Sequence, residues 1–379
     1  MTINVNQTDI PAITKRLFAL IGGLVVFLFA GVICLETVAY TQQQAGASPF
    51  VKIPFGFEGT ALLKEGAALS EHEAADLQTQ VDNDTVDVVG RFKLLAYYSC
   101  RSTSGAETRS SFLEAASWFV NNCPEEGDTV IACLFSSQPE EDYLELKKQW
   151  MEVIKKHPNN VKIICNAAML ALLQDPDWAN TLIDKAEQLE IKDSVSAKRM
   201  GMVYGFRLLS EHGKKKREEY AEQAIEHYEL AIKLTEDRSE VSPIRLTAAN
   251  VAMDAGLLES ASTYAQQVLK DQDSGDSIHR AHTILGCLAL QSGDRDKAKT
   301  HLLAAGKVSS TPELLRAGPD MLLASKLLIK DETEVVLEYF ELCEKFWKKP
   351  ELKQWVEQVK QGEIPDFGMH LSSKSGIDL

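Results

Sequence analysis

The sequence predicts an all-α chain, a stack of helical hairpins forming an α-solenoid, preceded by one membrane-spanning helix. Three observations predict it. Six apolar triples recur along the chain, each spaced four then three residues apart, which keeps a triple on one helical face. Residues His282 to Ala305 join two amphipathic segments through Gly293-Asp294, where a glycine can take a positive φ and end the first helix. Residues Leu17 to Leu35 run for nineteen positions without a charge or a strongly polar group.

At 1.5 Å per residue that run spans about 28 Å, close to the thickness of a bilayer core. Residues 1–16 are polar and end in Lys15-Arg16, and the next cation after the run is Lys52. The positive-inside rule places the 1–16 tail in the cytoplasm and the body across the membrane, with 17–35 as a signal-anchor. A cleaved signal peptide would have a shorter apolar core, and the one Ala-x-Ala site, Ala45-Gly46-Ala47, lies far beyond the run. Ile33 before Cys34 does not suit a lipoprotein. Ala19 and Gly23 form a small-xxx-small spacing that is common by chance. Residues 36–69 read as a linker, polar and small at 41–49, then apolar and aromatic from Phe50 to Phe57.

From Ser70 the pattern becomes helical, and residues 70–350 read as the repeat domain. Val88 to Cys100 and Glu107 to Asn122 make a first hairpin around Ser104-Gly105, with Pro124 as a stop. Gly127 to Pro139 is a longer loop. The triples then follow: Leu146/Trp150/Val153, Ala179/Ile183/Ala186, Ala224/Tyr228/Ala231, Ala261/Ala265/Val268, Ala298/Leu302/Ala305 and Val336/Phe340/Cys343. Their first members are separated by 33, 45, 37, 37 and 38 residues. The 45-residue gap implies an insertion near Ser210 to Glu219. The preceding helices supply matching sets: Asn166-Ala167 with Leu170, Met200-Gly201 with Tyr204, Ala248-Ala249 with Ala252, Leu285-Gly286 with Ala289, and Leu323-Ala324 with Leu327. In the 282–305 hairpin, Ala298 is expected to face Gly286 where the two backbones come closest. Residues 351–361 form a last amphipathic helix that caps the open apolar end, and Gly362 to Gly368 then turns away within a 351–379 tail.

This pattern resembles the tetratricopeptide repeat, a helix–turn–helix of 34 residues with small and large residues at set positions. The resemblance covers roughly residues 85–350. It departs from the family where tryptophan is usual in the first helix, with Ile163, Arg245, His282 and Asp320 there instead. The ending also resembles uncharacterised bacterial repeat proteins. If the stack follows the family, the first helices line a peptide groove whose positions map to Lys198, Met202, Asn250, Met253, Asp254, Arg280, Thr283 and Gln291. Leu246 stands one turn before Asn250, so the family's Lys-and-Asn clamp for a C-terminal carboxylate is not reproduced.

The net charge of −15 argues against nucleic acid, which needs a basic face, and against lying flat on anionic lipid. Seven cysteines without a C-x-x-C fit neither a disulfide scaffold nor a zinc ribbon. Cys165, Cys287 and Cys343 read as buried thiols, and Cys123 and Cys133 could pair in an oxidising compartment. His279, His282 and His301 could meet on one hairpin as a zinc site; with no acidic ligand at a suitable spacing, they read as surface or groove histidines. Lys214 to Arg217 reads as a solvated helix tip, and Glu125-Glu126 and Glu140–Asp142 as exposed loop carboxylates. No nucleotide, hydrolase or metal motif is present, so no catalytic residue and no cofactor is expected. The sequence thus points to a membrane-anchored scaffold or adaptor that binds a protein or peptide at the cell envelope of a bacterium, its repeat domain outside the cytoplasm. The alternatives are a chaperone-like accessory of membrane translocation or assembly, and an enzyme whose site the sequence hides.

Overall fold

The computed structural model describes Leu62 and residues 65–84, 87–101, 106–126, 140–172, 174–271 and 274–371. The anchor at 17–35, most of the 36–69 linker, the Ser104-Gly105 turn, the 127–139 loop with Cys133, and the tail beyond 371 lie outside them. Among the described residues the regular structure is helical throughout, and no helix is long and apolar enough to cross a membrane. The chain divides into two compact units, residues 1–191 and 192–379.

In the first unit, a helical turn at 65–68 precedes α1 (Glu71–Asn83), α2 (Val88–Arg101), α3 (Ala106–Asn122), α4 (Glu140–Lys156), α5 (Val161–Ala171) and α6 (Pro176–Glu187). Ser70 and Glu73 form a reciprocal capping box that starts α1. Ala74 and Val81 of α1 pack on Leu94 and Tyr97 of α2. Phe92 of α2 meets Phe119 of α3 edge-on, with ring centroids 6.0 Å apart. Helix α5 begins where Asn160 accepts from the Ile163 amide, and every residue in it but Lys162 is buried. Asp175 caps α6 with Pro176 at its first position, the place where a missing N–H costs nothing.

The second unit contains α7 (Ser194–Ser210), α8 (Lys214–Leu234), α9 (Val241–Ala255), α10 (Leu258–Asp271), α11 (Gly275–Gln291), α12 (Arg295–Gly306), the short α13 (Pro312–Ala317), α14 (Leu322–Leu328), α15 (Thr333–Glu344) and α16 (Pro350–Lys360). The pairs α7/α8, α9/α10, α11/α12 and α14/α15 are hairpins, each packed on the next. Gly256 and Gly293, at φ of 80° and 85°, end α9 and α11 as the left-handed caps such turns require.

All eighteen side chains of the six triples are buried, and so are the matching residues of the first helices. The hairpin seams of both units therefore follow the tetratricopeptide-like pattern. Tyr228 packs on Gly201, where a Cβ would run into its ring. The closest approach at Gly286 is different from the one expected. A Cβ there would run into Leu323 of α14, as well as His301 of α12. Gly286 thus serves the junction with the following hairpin, while Ala298 is fully enclosed in its own.

Further expectations are corrected. The extra residues near 210–219 do not form an insertion loop. Only Glu211 to Gly213 separate α7 from α8, and the added length extends α8 to 21 residues. Lys214 to Lys216 are exposed as expected, but Arg217 turns inward and donates to the carbonyls of Leu208, Glu211 and Asp254. The carboxylates at 140–142 are not in a loop: they open α4, and Asp142 is buried because Arg109 of α3 grips it with two hydrogen bonds of 2.7 and 3.0 Å. Glu125 is likewise engaged, accepting from Asn160 at 2.7 Å. The 362–368 stretch does not turn away. Phe367 is buried against Phe340 and Trp355, and the Met321 amide donates to the His370 carbonyl at 2.6 Å. The apolar end left by α15 and α16 draws the segment back.

A seam this dense does not accept added volume. Ala298→Leu should destabilise the chain by about 1–3 kcal/mol, whereas Lys297→Leu, one residue away on the exposed side, should stay within about 0.5 kcal/mol. Urea unfolding of both variants checks this, and equal midpoints would mean that the repeat register is wrong.

Candidate interaction surfaces

The eight residues mapped to a peptide groove fall into two groups. Met202, Asn250, Met253, Asp254 and Thr283 are buried, and Lys198, Arg280 and Gln291 are half-exposed. The reason lies in α9, which packs against α7, α8, α10 and α11, so nearly all its residues are enclosed. Lys198 forms an ion pair of 2.7 Å with Glu240, which is itself buried. Thr283 donates to the His279 carbonyl one turn back. The carbonyl of Asp254 accepts from Arg217. In this conformation, then, most of the mapped groove serves the interior of the second unit rather than facing a ligand.

The three histidines of the α11/α12 hairpin also part company. His279 is 1% exposed, not a surface or groove residue. Its Nε2 accepts from the Asp320 amide at 2.9 Å, so the ring carries its proton on Nδ1, which donates to the Ala305 carbonyl at 2.8 Å. Tyr339 stacks on the ring with centroids 6.3 Å apart, and its hydroxyl donates to the Asp320 carbonyl at 2.9 Å. The imidazole thus ties α11 and α12 to the crossover that leads into the next hairpin. Both its nitrogens are taken, so it cannot join His282 and His301 around an ion. Burial pushes its pKa below the ordinary value, and Asp320 and Asp276 pull the other way more weakly. No group of three or more His, Cys, Asp or Glu side chains able to hold a metal occurs among the described residues.

The predicted buried thiols are buried: Cys165, Cys287 and Cys343 pack as small hydrophobes. Burial pushes the Cys287 thiol up to about 12, and Cys123, also buried, likewise up to about 12. A thiol raised in this way keeps its proton at neutral pH.

The first unit offers a surface that the groove mapping passes over. On α4, Leu144 and Met151 are each 52% exposed. They lie seven residues apart, with Lys148 between them and Lys155 one turn on, both exposed. Positions 144, 148, 151 and 155 share one face of a 3.6-residue helix. The seam residues Leu146, Trp150 and Val153 face the opposite way, into α3 and α5. The signal was present in the sequence as two large apolar residues out of register with the triple beside them.

No family model matches the chain, and no curated protein matches it. Among solved structures, one that is similar is the human IFIT1 dimer with m7Gppp-AAAA. It is 18% identical, the match covers 80% of this chain and 69% of that chain, and the TM-score is 0.42.

Two histidines whose pKa the fold lowers set a pH dependence with a definite sign. An unfolded histidine takes up a proton near pH 6.5. In the fold His279 is held neutral to lower pH, and burial, with His301 beside it, pushes His282 down to about 4. The unfolded chain therefore binds more protons in that window, so stability is full above about pH 6.5 and is lost as pH falls below it. Urea midpoints measured from pH 8 to 5 should decline below about 6.5. His279→Ala should cost about 2–4 kcal/mol at pH 8, by stranding the Asp320 amide and Ala305 carbonyl, and should flatten that decline. An unchanged midpoint in the variant would contradict the buried role.

Proposed function

We propose that the chain is a scaffold or adaptor, tethered to a membrane by residues 17–35, that binds a protein partner through its helical hairpins. The observation that carries this reading is the α4 face, where Leu144 and Met151 stand exposed beside Lys148 and Lys155. An apolar pair flanked by lysines suits a partner helix with apolar anchors and carboxylates. The interior supports the same reading. Three of the buried ionisable groups, His279, Asp142 and Glu240, are each bound to a structural partner. This is the arrangement of a binding module, and we assign the chain no catalytic role. The acidic balance favours a protein partner over nucleic acid. The uncharged 17–35 run after Lys15-Arg16 supports a cytoplasmic N-terminus with the hairpins outside the cytoplasm, as in a bacterial inner-membrane protein facing the periplasm.

The second reading is a chaperone-like accessory that holds unfolded clients. It rests on the same exposed Leu and Met pair, since a flexible methionine accommodates varied sequences. One experiment separates the two. A photo-crosslinking amino acid is placed at Leu144 or Met151 in the full chain, in cells, and the membrane fraction is analysed. A single discrete adduct, lost when Lys148 and Lys155 are changed to Glu, is the result expected for a scaffold. A continuous ladder of adducts would favour the chaperone reading. Recovery of the chain in the soluble fraction with no adduct would contradict both the tether and the surface.

A further inference from the structure

His282 of α11 and His301 of α12 face each other across their hairpin, outside the network that holds His279. Their Nδ1 atoms lie 3.0 Å apart. The ring centroids are 5.3 Å apart and the planes are tilted by 41°. Among the described residues this contact is the hydrogen bond that each ring makes. Two Nδ1 atoms at that distance hold one proton between two lone pairs. Such a contact closes a helical seam, but it also presents two nitrogens at the bite of a chelate.

The separation of the two nitrogens suits one class of ion. Metal–imidazole bonds are about 2.0–2.1 Å long, so a 3.0 Å separation subtends about 95° at a shared ion. A tetrahedral ion would need nitrogens about 3.3 Å apart. An angle near a right angle belongs to neighbouring positions of a tetragonal or octahedral ion, the preference of Cu(II) and Ni(II). We infer that His282 and His301 form a two-imidazole clamp for a late first-row divalent ion, Cu(II) or Ni(II) in class, with water completing its coordination. Binding needs a change of tautomer and no net loss of protons: the ring that donates gives its Nδ1 proton to water while its Nε2 takes one up, so both rings stay neutral and each Nδ1 lone pair then bonds the ion.

Other features agree. Burial lowers the pKa of both rings, His282 to about 4, so both are neutral near pH 7. The neutral ring is the form that ligates. Both residues are half-exposed, so the ion and its waters have access. The clamp ties α11 to α12 one turn from His279, so an ion bound only in the fold stabilises this unit by mass action. The competing surface site is the exposed pair His72 and Asp76 on α1, 2.9 Å apart.

The test is a titration of the purified full chain with CuCl2 at pH 7. Electron paramagnetic resonance should show one equivalent bound with coupling to two imidazole nitrogens. His282→Asn and His301→Asn should each weaken this binding at least tenfold and remove the two-nitrogen coupling, while His72→Asn leaves both unchanged. Because a variant in a packed hairpin can misfold, the wild-type chain labelled at its histidine rings is titrated with NiCl2 in parallel. The His282 and His301 ring signals should broaden before any other. Loss of the signal in His72→Asn, or earlier broadening of exposed rings such as His72 and His212, would overturn the assignment. So would two-nitrogen coupling that survives in folded His282→Asn.

Discussion

The second unit depends on one buried imidazole. His279 reaches 26 residues ahead to the Ala305 carbonyl and 41 residues ahead to the Asp320 amide. Both groups sit at places where a helical stack is short of partners. Ala305 lies in the last turn of α12, whose final carbonyls have no intrahelical donor, and Asp320 lies in the crossover before α14. A buried amide left without an acceptor costs as much as a lost hydrogen bond, so the ring must stay neutral with its proton on Nδ1. Tyr339 and Phe346 pack against it, and the Met321 amide is held from the other side by the His370 carbonyl. The crossover from the third to the fourth hairpin is therefore fixed by side chains and by the returning tail.

Similar long polar contacts recur at other helix ends. Arg217 satisfies carbonyls at the ends of both α7 and α9. Asn166 of α5 donates to the Pro124 carbonyl at 2.7 Å, which anchors the short 3-10 turn after α3. Arg109 joins α3 to α4 through Asp142. These bonds explain how repeats of unequal length pack without a fixed period: long polar side chains take up the irregular helix ends, and the small apolar seams stay regular. They also bear on function. Groups that cap buried helix ends are not free to meet a ligand, which leaves recognition to exposed faces such as that of α4.

The seams were legible because burial in a helical hairpin writes itself directly into spacing. Ala298, Leu302 and Ala305 can be small, large and small only if something packs against them, and the same holds for Val336, Phe340 and Cys343. What was not legible depends on partners far along the chain. The spacing around His279 places it on a first helix, where a groove residue and a core residue look alike, and only the position of Asp320 distinguishes them. Asp142 reads as one acid among many until Arg109 is placed beside it. Phe367 lies between Pro365 and Gly368, in a stretch whose turn-forming residues conceal an aromatic anchor. The burial of most mapped groove positions was hidden for a related reason. Asn250 and Met253 occupy groove positions by count, but α9 is enclosed on more sides than a family average implies.

The most direct measurement is hydrogen exchange at the Asp320 amide. It lies outside any helix and would exchange quickly in an ordinary connection between helices. If the His279 ring holds it, Asp320 should be protected to the same degree as the buried amides in the middle of α11, because both open only when the unit opens. Exchange at the rate of an unprotected loop amide, with α11 still protected, would show that the crossover is not pinned and would contradict the account.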